Sequence, residues 1–147
     1  MNSSLPARIL IVAHRTAATP ALLDEIRDRA GRSPAAFTLL VPAAAHGLHR
    51  IVDPEDTDTG EAAATLELAL PLMKDAAGGE VEGMIGDPEP LAAIHDALNL
   101  RGFDEIIIST LPTRVSRWLK LDLPHKVAGL GLPVTTVTAG GRERTTA

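Results

Sequence analysis

Residues 8–13 read RILIVA, an uninterrupted apolar run close to the start of the chain. A run of this kind is typical of a strand buried on both faces of a parallel sheet, because a half-exposed strand alternates apolar and polar residues. Four further segments have the composition of strands, the second of them weakened by a glycine and the last more polar than the others: AFTLLV (36–41), EVEGMI (80–85), EIII (105–108) and PVTTVT (133–138).

Helical patterns separate these segments. Residues 20–30 carry apolar side chains at helical spacing after an N-cap threonine and a proline. Residues 61–77 show the same spacing, and Pro71 within them predicts a kink or an interruption. Asp87 is placed to cap a third helix, and a short fourth helix is predicted around residues 117–121.

Five strands that alternate with four helical segments predict an α/β fold, a three-layer sandwich in which helices cover both faces of a five-stranded parallel sheet. One domain is predicted over residues 7–138, followed by a polar C-terminal tail at residues 139–147. The last strand is the most polar, which predicts that it lies at a sheet edge and pairs there with a second copy to give a homodimer.

Composition excludes several classes of protein. The 147 residues are 45% hydrophobic and 22% charged, with a formal net charge of −5 and no cysteine. This hydrophobic content excludes a disordered chain, and no stretch has the roughly 20 uninterrupted apolar residues of a membrane span. The lack of cysteine excludes disulfides, thiol catalysis and cysteine-ligated metals. The N-terminus lacks the pattern of a secretory signal, so a cytoplasmic protein is expected.

The aromatic residues argue against nucleic acid as the main partner. There are three of them, Phe37, Phe103 and Trp118, and the chain as a whole is acidic. Proteins that bind single strands use several stacking aromatics in a basic groove. No nucleic-acid partner is therefore predicted.

The order of elements resembles that of the universal stress protein family over nearly the whole chain. The most specific points of resemblance are the Gly-Asp-Pro junction at residues 86–88 and the Leu-Pro-Val start of the last strand at residues 132–134. The resemblance implies a five-stranded sheet of order 3-2-1-4-5, of the adenine nucleotide alpha hydrolase type, and dimerisation through the last strand. It also implies that ATP binding, found in some members, has to be considered.

Two departures from the family pattern concern ATP. Members that bind ATP carry an aspartate after the first strand, where this chain has His-Arg-Thr at residues 14–16. They follow the fourth strand with Gly-x2-Gly-x9-Gly-Ser/Thr, whose bare backbone cradles phosphates. This chain has no glycine between Phe103 and Ala128, and Pro112 has no N–H to donate. The motif thus gives no basis for ATP or AMP binding, and no cofactor is predicted.

A ligand site is nevertheless predicted where the strand order reverses, between the first and fourth strands, because ligands of open α/β sheets bind outside the carboxyl ends of the strands at that point. Loop residues at this edge are polar in any such fold, which is the simpler interpretation. The residues that leave the strands at this edge are His14, Arg15, Thr16, Ser109 and Thr110, with Gly86, Asp87 and His46 on the neighbouring strands.

The segment that replaces the glycine motif is locally basic. Residues 109–126 hold four basic side chains against one acidic one. Thr113, Arg114, Ser116 and Arg117 are predicted to form an anion clamp, in which Ser116 caps the short helix and the guanidinium groups face a phosphate. The alternative is that Ser116 is only a cap and that the arginines pair with acidic side chains.

A group of histidines and the single tryptophan each have a functional and a structural interpretation. His46 and His49, with His14, Asp53 and Asp56, have side chains that bind metals, but nothing in the sequence fixes their geometry and no metal site is predicted. Trp118 is expected to pack in the core or at an interface, the alternative being that it stacks on a base.

Enzymatic motifs are missing. There is no GxSxG elbow, no GxxxxGK[ST] loop and no GxGxxG turn after a strand. A nucleophile pair of Ser109 and His14 at the sheet edge is conceivable, without an evident orienting acid.

The sequence thus favours a stress-protein-like binding domain without catalysis, which takes a small anionic or nucleotide-like ligand at the carboxyl edge of the sheet. Two alternatives stay open. One is a ligand-free dimer that engages a protein through residues 116–126, and the other is a small hydrolase that uses His14 and Ser109.

Overall fold

The computed structural model describes residues 5–43, 60–112 and 116–145. Six strands lie in one sheet: β1 (Ala7–Val12), β2 (Ala35–Pro42), β3 (Val81–Gly86), β4 (Glu105–Ser109), β5 (Val134–Thr138) and β6 (Gly141–Thr145). Their order across the sheet is β3-β2-β1-β4-β5-β6. The first five are parallel, and β6 runs antiparallel to β5.

Helices connect the parallel strands: α1 (Pro20–Arg32), α2 (Gly60–Ala77), α3 (Pro90–Leu100), α4 (Arg117–Lys120) and α5 (Leu123–Ala128). Helix α2 continues through Pro71, where a kink or interruption was expected. Pro71 and Glu67, whose carbonyl loses its partner, both lie on the exposed side of the helix, so water can satisfy that carbonyl. None of these helices is long and apolar enough to cross a membrane.

The core consists of two layers, one on each face of the sheet. Alternate residues of β1 point to opposite faces, so Ile9 and Ile11 meet α1 and α2 while Leu10 and Val12 meet α3 and α5. All four side chains are completely buried. Burial on both faces therefore explains the uninterrupted apolar run of β1, as the sequence predicts, because a central strand with helices on both faces has no solvent-facing side.

The predicted order 3-2-1-4-5 is confirmed, and β6 extends it. Residues 141–145 were expected to belong to a polar tail, and this expectation was wrong. The backbone of β6 pairs with β5 in a hairpin whose register joins Val134 to Thr145 and Thr138 to Gly141. An edge strand is held by its ladder of backbone hydrogen bonds and needs no apolar side chains, so its composition did not distinguish it from a tail. It follows that β5 is an internal strand, and its edge is not free for a second copy.

Candidate functional site

The loops that leave β1 and β4 lie side by side. These strands are neighbours, with Val12 opposite Ile108, and both end at the carboxyl edge of the sheet. The side chains of Thr16, Ser109 and Thr110 meet at this edge, and all three are buried. The topology therefore brings together two segments that are far apart in the sequence, as the strand order predicts.

Hydroxyl pairs hold these segments in place. The Thr16 Oγ1 and Ser109 Oγ atoms are 2.7 Å apart, and the Thr110 Oγ1 and Ser116 Oγ atoms are also 2.7 Å apart. Each hydroxyl carries one proton and one hydrogen bond uses only one of the two in a pair. The Thr110–Ser116 pair can therefore keep one proton that is free to donate to a ligand. The Thr16–Ser109 pair can do so when Ser109 donates to Thr16 Oγ1 and not to the Thr16 carbonyl, which is 3.5 Å away.

Helix α4 is anchored to β4 through Ser116. Its Oγ accepts a hydrogen bond from the Leu119 backbone N–H at 3.1 Å, which confirms the predicted cap, and it also bonds to Thr110. The Ser116 side chain is 1% exposed. A capping serine that is buried and tied to the neighbouring strand fixes Arg117, the next residue, at the rim of the sheet edge.

A cleft of about 480 Å³ opens over these groups. This volume falls within the usual range for small-molecule sites. Among the described residues of its lining, the arginines Arg15 and Arg117 stand against a single carboxylate, Glu61, which favours an anionic ligand. Seven of the predicted site residues line the cleft: His14, Arg15, Thr16, Ser109, Thr110, Ser116 and Arg117.

Backbone amides that a glycine-rich loop would offer to a phosphate are engaged here. The Thr110 N–H donates to the Val137 carbonyl at 3.0 Å, and the Ser116 N–H donates to the Pro112 carbonyl at 2.9 Å. Among the described residues of the cleft, side-chain hydroxyls and guanidinium groups therefore offer donors where these two backbone amides do not.

Gly86 and Asp87 lie outside the cleft. A Cβ at Gly86 would be 2.8 Å from Ala93 Cβ and from Leu40 Cδ1, so this glycine allows α3 to pack closely on the sheet. Asp87 Oδ1 accepts from the Glu89 backbone N–H at 2.9 Å, and Glu89, rather than Asp87, caps α3 by accepting from the Leu91 N–H. The expected cap at Asp87 was wrong by two residues, because α3 begins at Pro90. Asp87 borders an adjoining groove, which shares Pro88, Arg117 and Trp118 with the cleft.

Six lining residues lie outside the predicted site set, and Glu61 and Trp118 are the charged and the aromatic one among them. Glu61 comes from the first turn of α2, and its position follows from topology, since the helix after β2 starts at the carboxyl edge of a parallel sheet. Trp118 is half-buried against the core, as expected, and also forms one wall of the cleft. Its two interpretations are therefore compatible.

The nucleophile pair finds no support in the hydrogen bonds of the described residues. The Ser109 hydroxyl is hydrogen-bonded to the side chain and the carbonyl of Thr16. A serine nucleophile needs a base within hydrogen-bond reach, and neither of these groups is one. In the part of the chain that the structure describes, no three acidic or histidine side chains cluster as a metal would need. Thr113, Arg114, His46 and His49 lie outside the described residues, as do Asp53 and Asp56.

Comparisons with known proteins agree with this topology. No family model and no curated protein matches the sequence. A solved universal stress protein in complex with cAMP superposes with a TM-score of 0.58 and 15% sequence identity, covering 90% of this chain and 98% of the other. A hypothetical protein, PH0823, superposes with a TM-score of 0.56 and 13% identity, covering 89% and 95%. The chain therefore has a universal-stress-protein-like fold, with a sequence that has little in common with either protein.

Proposed function

We propose that the chain binds a small phosphate-bearing, nucleotide-like ligand in the cleft between the ends of β1 and β4. The observation that carries the proposal is the pair of buried hydroxyl contacts, Thr16–Ser109 and Thr110–Ser116, beneath a rim that holds Arg15 and Arg117. Hydroxyl donors and guanidinium groups are the side chains that recognise phosphate oxygens.

A single phosphate group suits this cleft better than a triphosphate. Two arginines and the hydroxyl donors at the floor of the cleft match the few oxygens of a monoester or cyclic phosphodiester. The amides of Thr110 and Ser116 are engaged and Pro112 has no N–H, so these three positions offer no backbone donor to a triphosphate. The superposed stress protein in complex with cAMP supports a ligand of this size and class.

Binding without turnover is the activity that we propose. The hydrogen bonds of the Ser109 hydroxyl among the described residues go to Thr16 and not to a base, so we assign it to binding rather than to nucleophilic attack. The ligand would be held by the hydroxyls at the floor and the arginines at the rim, with Trp118 beside it as an apolar wall.

Trp118, the only tryptophan of the chain, provides the test. Because it lines the cleft, ligand binding should change its fluorescence in a saturable manner. We expect titration with cAMP or AMP to give such a change, adenosine to give a weaker one, and a thermal shift to follow the same order. If neither fluorescence nor melting temperature responds to cAMP, AMP, ATP or inorganic phosphate, the proposal fails.

A further inference from the structure

The cleft continues beyond Trp118. The adjoining groove beside Asp87 has a volume of about 360 Å³, and it shares Trp118 and Leu121 with a third cavity of about 530 Å³ between α3 and α5. We call these two cavities together the apolar groove. Besides Pro88, Trp118 and Leu121, its described apolar lining consists of Pro90, Leu91, Ala92 and Leu123. Because the cavities share walls, a ligand in the cleft can extend past Trp118 into a second space.

The floor of the apolar groove belongs to the core. Leu123 is 3% exposed, and Leu91 and Trp118 pack against the same core layer while part of their surface stays open. Leu121 stands at the rim and is 45% exposed. Apolar surface that is left in water gains free energy when a ligand covers it, in proportion to the area covered. The groove therefore favours an apolar occupant.

The polar side chains of the third cavity do not make it a second polar site. Glu89 Oε1 accepts from the Leu91 backbone N–H at 3.2 Å, so this carboxylate caps α3. His95 and Lys126 are exposed, and their polar ends can stay in water. A nucleobase needs polar groups placed to fix its orientation, whereas a hydrocarbon chain needs none. This lining therefore favours a hydrocarbon chain.

Arg117 connects the two spaces. It lines both the cleft and the adjoining groove. The Leu121 backbone N–H donates to the Arg117 carbonyl at 3.1 Å, and residues four apart on a helical turn lie on the same face. This face leads from the cleft at Arg117 to the groove at Leu121. A phosphate bound by Arg117 would thus lie at the junction, with the groove open to a substituent on one of its oxygens.

We propose that the ligand is a nucleotide whose phosphate carries a second, apolar ester substituent, and that the apolar groove binds this hydrocarbon chain. The inference rests on the proposed function, in which the cleft holds the phosphate. It adds the class of the ligand, a phosphodiester between a nucleoside and a hydrocarbon chain. A plain nucleoside monophosphate fills the cleft and leaves the apolar groove to water.

Alkyl esters of AMP test the proposal. We expect calorimetric titration of the full-length protein to show a Kd that falls about tenfold or more from the methyl to the octyl ester, with a more negative heat-capacity change for the octyl ester. Binding of AMP and of both esters with equal affinity for the two esters would overturn this inference and leave the proposed function standing. No binding of AMP or of either ester would overturn both.

Variants outside the cleft locate the chain. Leu121→Asn makes the rim of the groove polar, and Ala92→Phe fills part of the third cavity; neither residue lines the cleft. Leu100→Asn is the matched control, because Leu100 is 70% exposed at the end of α3 and outside the described lining.

The gain in affinity from the methyl to the octyl ester is measured within each variant. We expect L121N and A92F to lose most of this gain and L100N to keep it. A92F also serves as the second route if L121N does not fold. An undiminished gain in both groove variants, or an equal loss in L100N, would overturn the proposal.

Discussion

The side-chain oxygens of Thr16 and Ser109 lie 2.7 Å apart, although 93 positions separate the two residues in the chain. This contact joins the loop after β1 to the last residue of β4, the two strands that flank the point at which the strand order reverses. The floor of the cleft is thus formed by a tertiary contact between the ends of two neighbouring strands. The positions of its hydroxyl groups depend on how these strands pair in the sheet.

Ser109→Ala should destabilise the protein by about 1–3 kcal/mol, because it leaves the Thr16 hydroxyl buried without its partner. Urea denaturation measures this free energy. Thr16→Val combined with Ser109→Ala removes both hydroxyls, so the double variant should lose less than the sum of the two single losses. Simple additivity would show that the hydroxyls do not stabilise each other.

Arg29→Ala should cost about 2–4 kcal/mol of unfolding free energy. The Arg29 guanidinium is buried and pairs with Glu105 at 2.7 Å, and its loss leaves that carboxylate unpaired in a half-buried place. Arg27→Ala is the matched control on the same helix, since Arg27 pairs with Asp24 in solvent and should contribute less than about 1 kcal/mol. Equal losses in the two variants would contradict this assignment.

The hydrogen bond to Glu105 raises the pKa of Arg29 above its usual value. A raised pKa in the folded state means that the arginine's contribution is complete below the unfolded-state pKa and falls only as the pH rises through the higher folded-state value. We therefore expect the stability difference between the wild type and R29A not to decline from neutral to mildly alkaline pH. A loss of that difference over this range would contradict the pairing.

Gly86→Ala should cost about 1–3 kcal/mol, since the added Cβ meets Ala93 and Leu40 at 2.8 Å and neither can retreat without moving α3 or the core. Gly79→Ala is the control, because nothing lies within 4 Å of the Cβ added there, and its effect should stay within about 0.5 kcal/mol. Thermal unfolding of both variants measures the difference. A tolerated G86A would show that the junction of β3 and α3 is less tightly packed than the structure indicates.

The parts of the fold that the sequence predicts are those in which burial controls composition. The apolar runs of β1 and β4 reflect burial on both faces, and this pattern was enough to place the loops that line the cleft. Strand β6 was missed because pairing of an edge strand uses backbone groups, which every residue carries, and its ion pairs reach Glu25 more than 100 positions away.

Part of the candidate site could also be predicted, because the order of the strands alone places some of its residues. Ser109 and Thr110 follow a strand at the switch point, so their place at the cleft needs only the strand order. Gly86 and Asp87 also lie at the end of a strand at this edge, but Gly86 allows α3 to pack closely and Asp87 accepts a hydrogen bond in the turn before that helix. These roles can be told from ligand binding only when the position of α3 is known. Glu61 belongs to no motif that points to a ligand, and the start of α2 at this edge brings it to the cleft.

Calorimetric titration of the full-length protein and two variants with cAMP and AMP tests the central claim most directly. Arg117 lines the cleft, and Lys120 lies one turn further along the same short helix, exposed and away from the described lining. The account predicts saturable binding of at least one of these monophosphates to the wild type and K120A, and binding weakened about tenfold or more in R117A, as expected for loss of a charged hydrogen bond worth roughly 1.5–3 kcal/mol. No binding to the wild type, or equal binding to R117A, would contradict it.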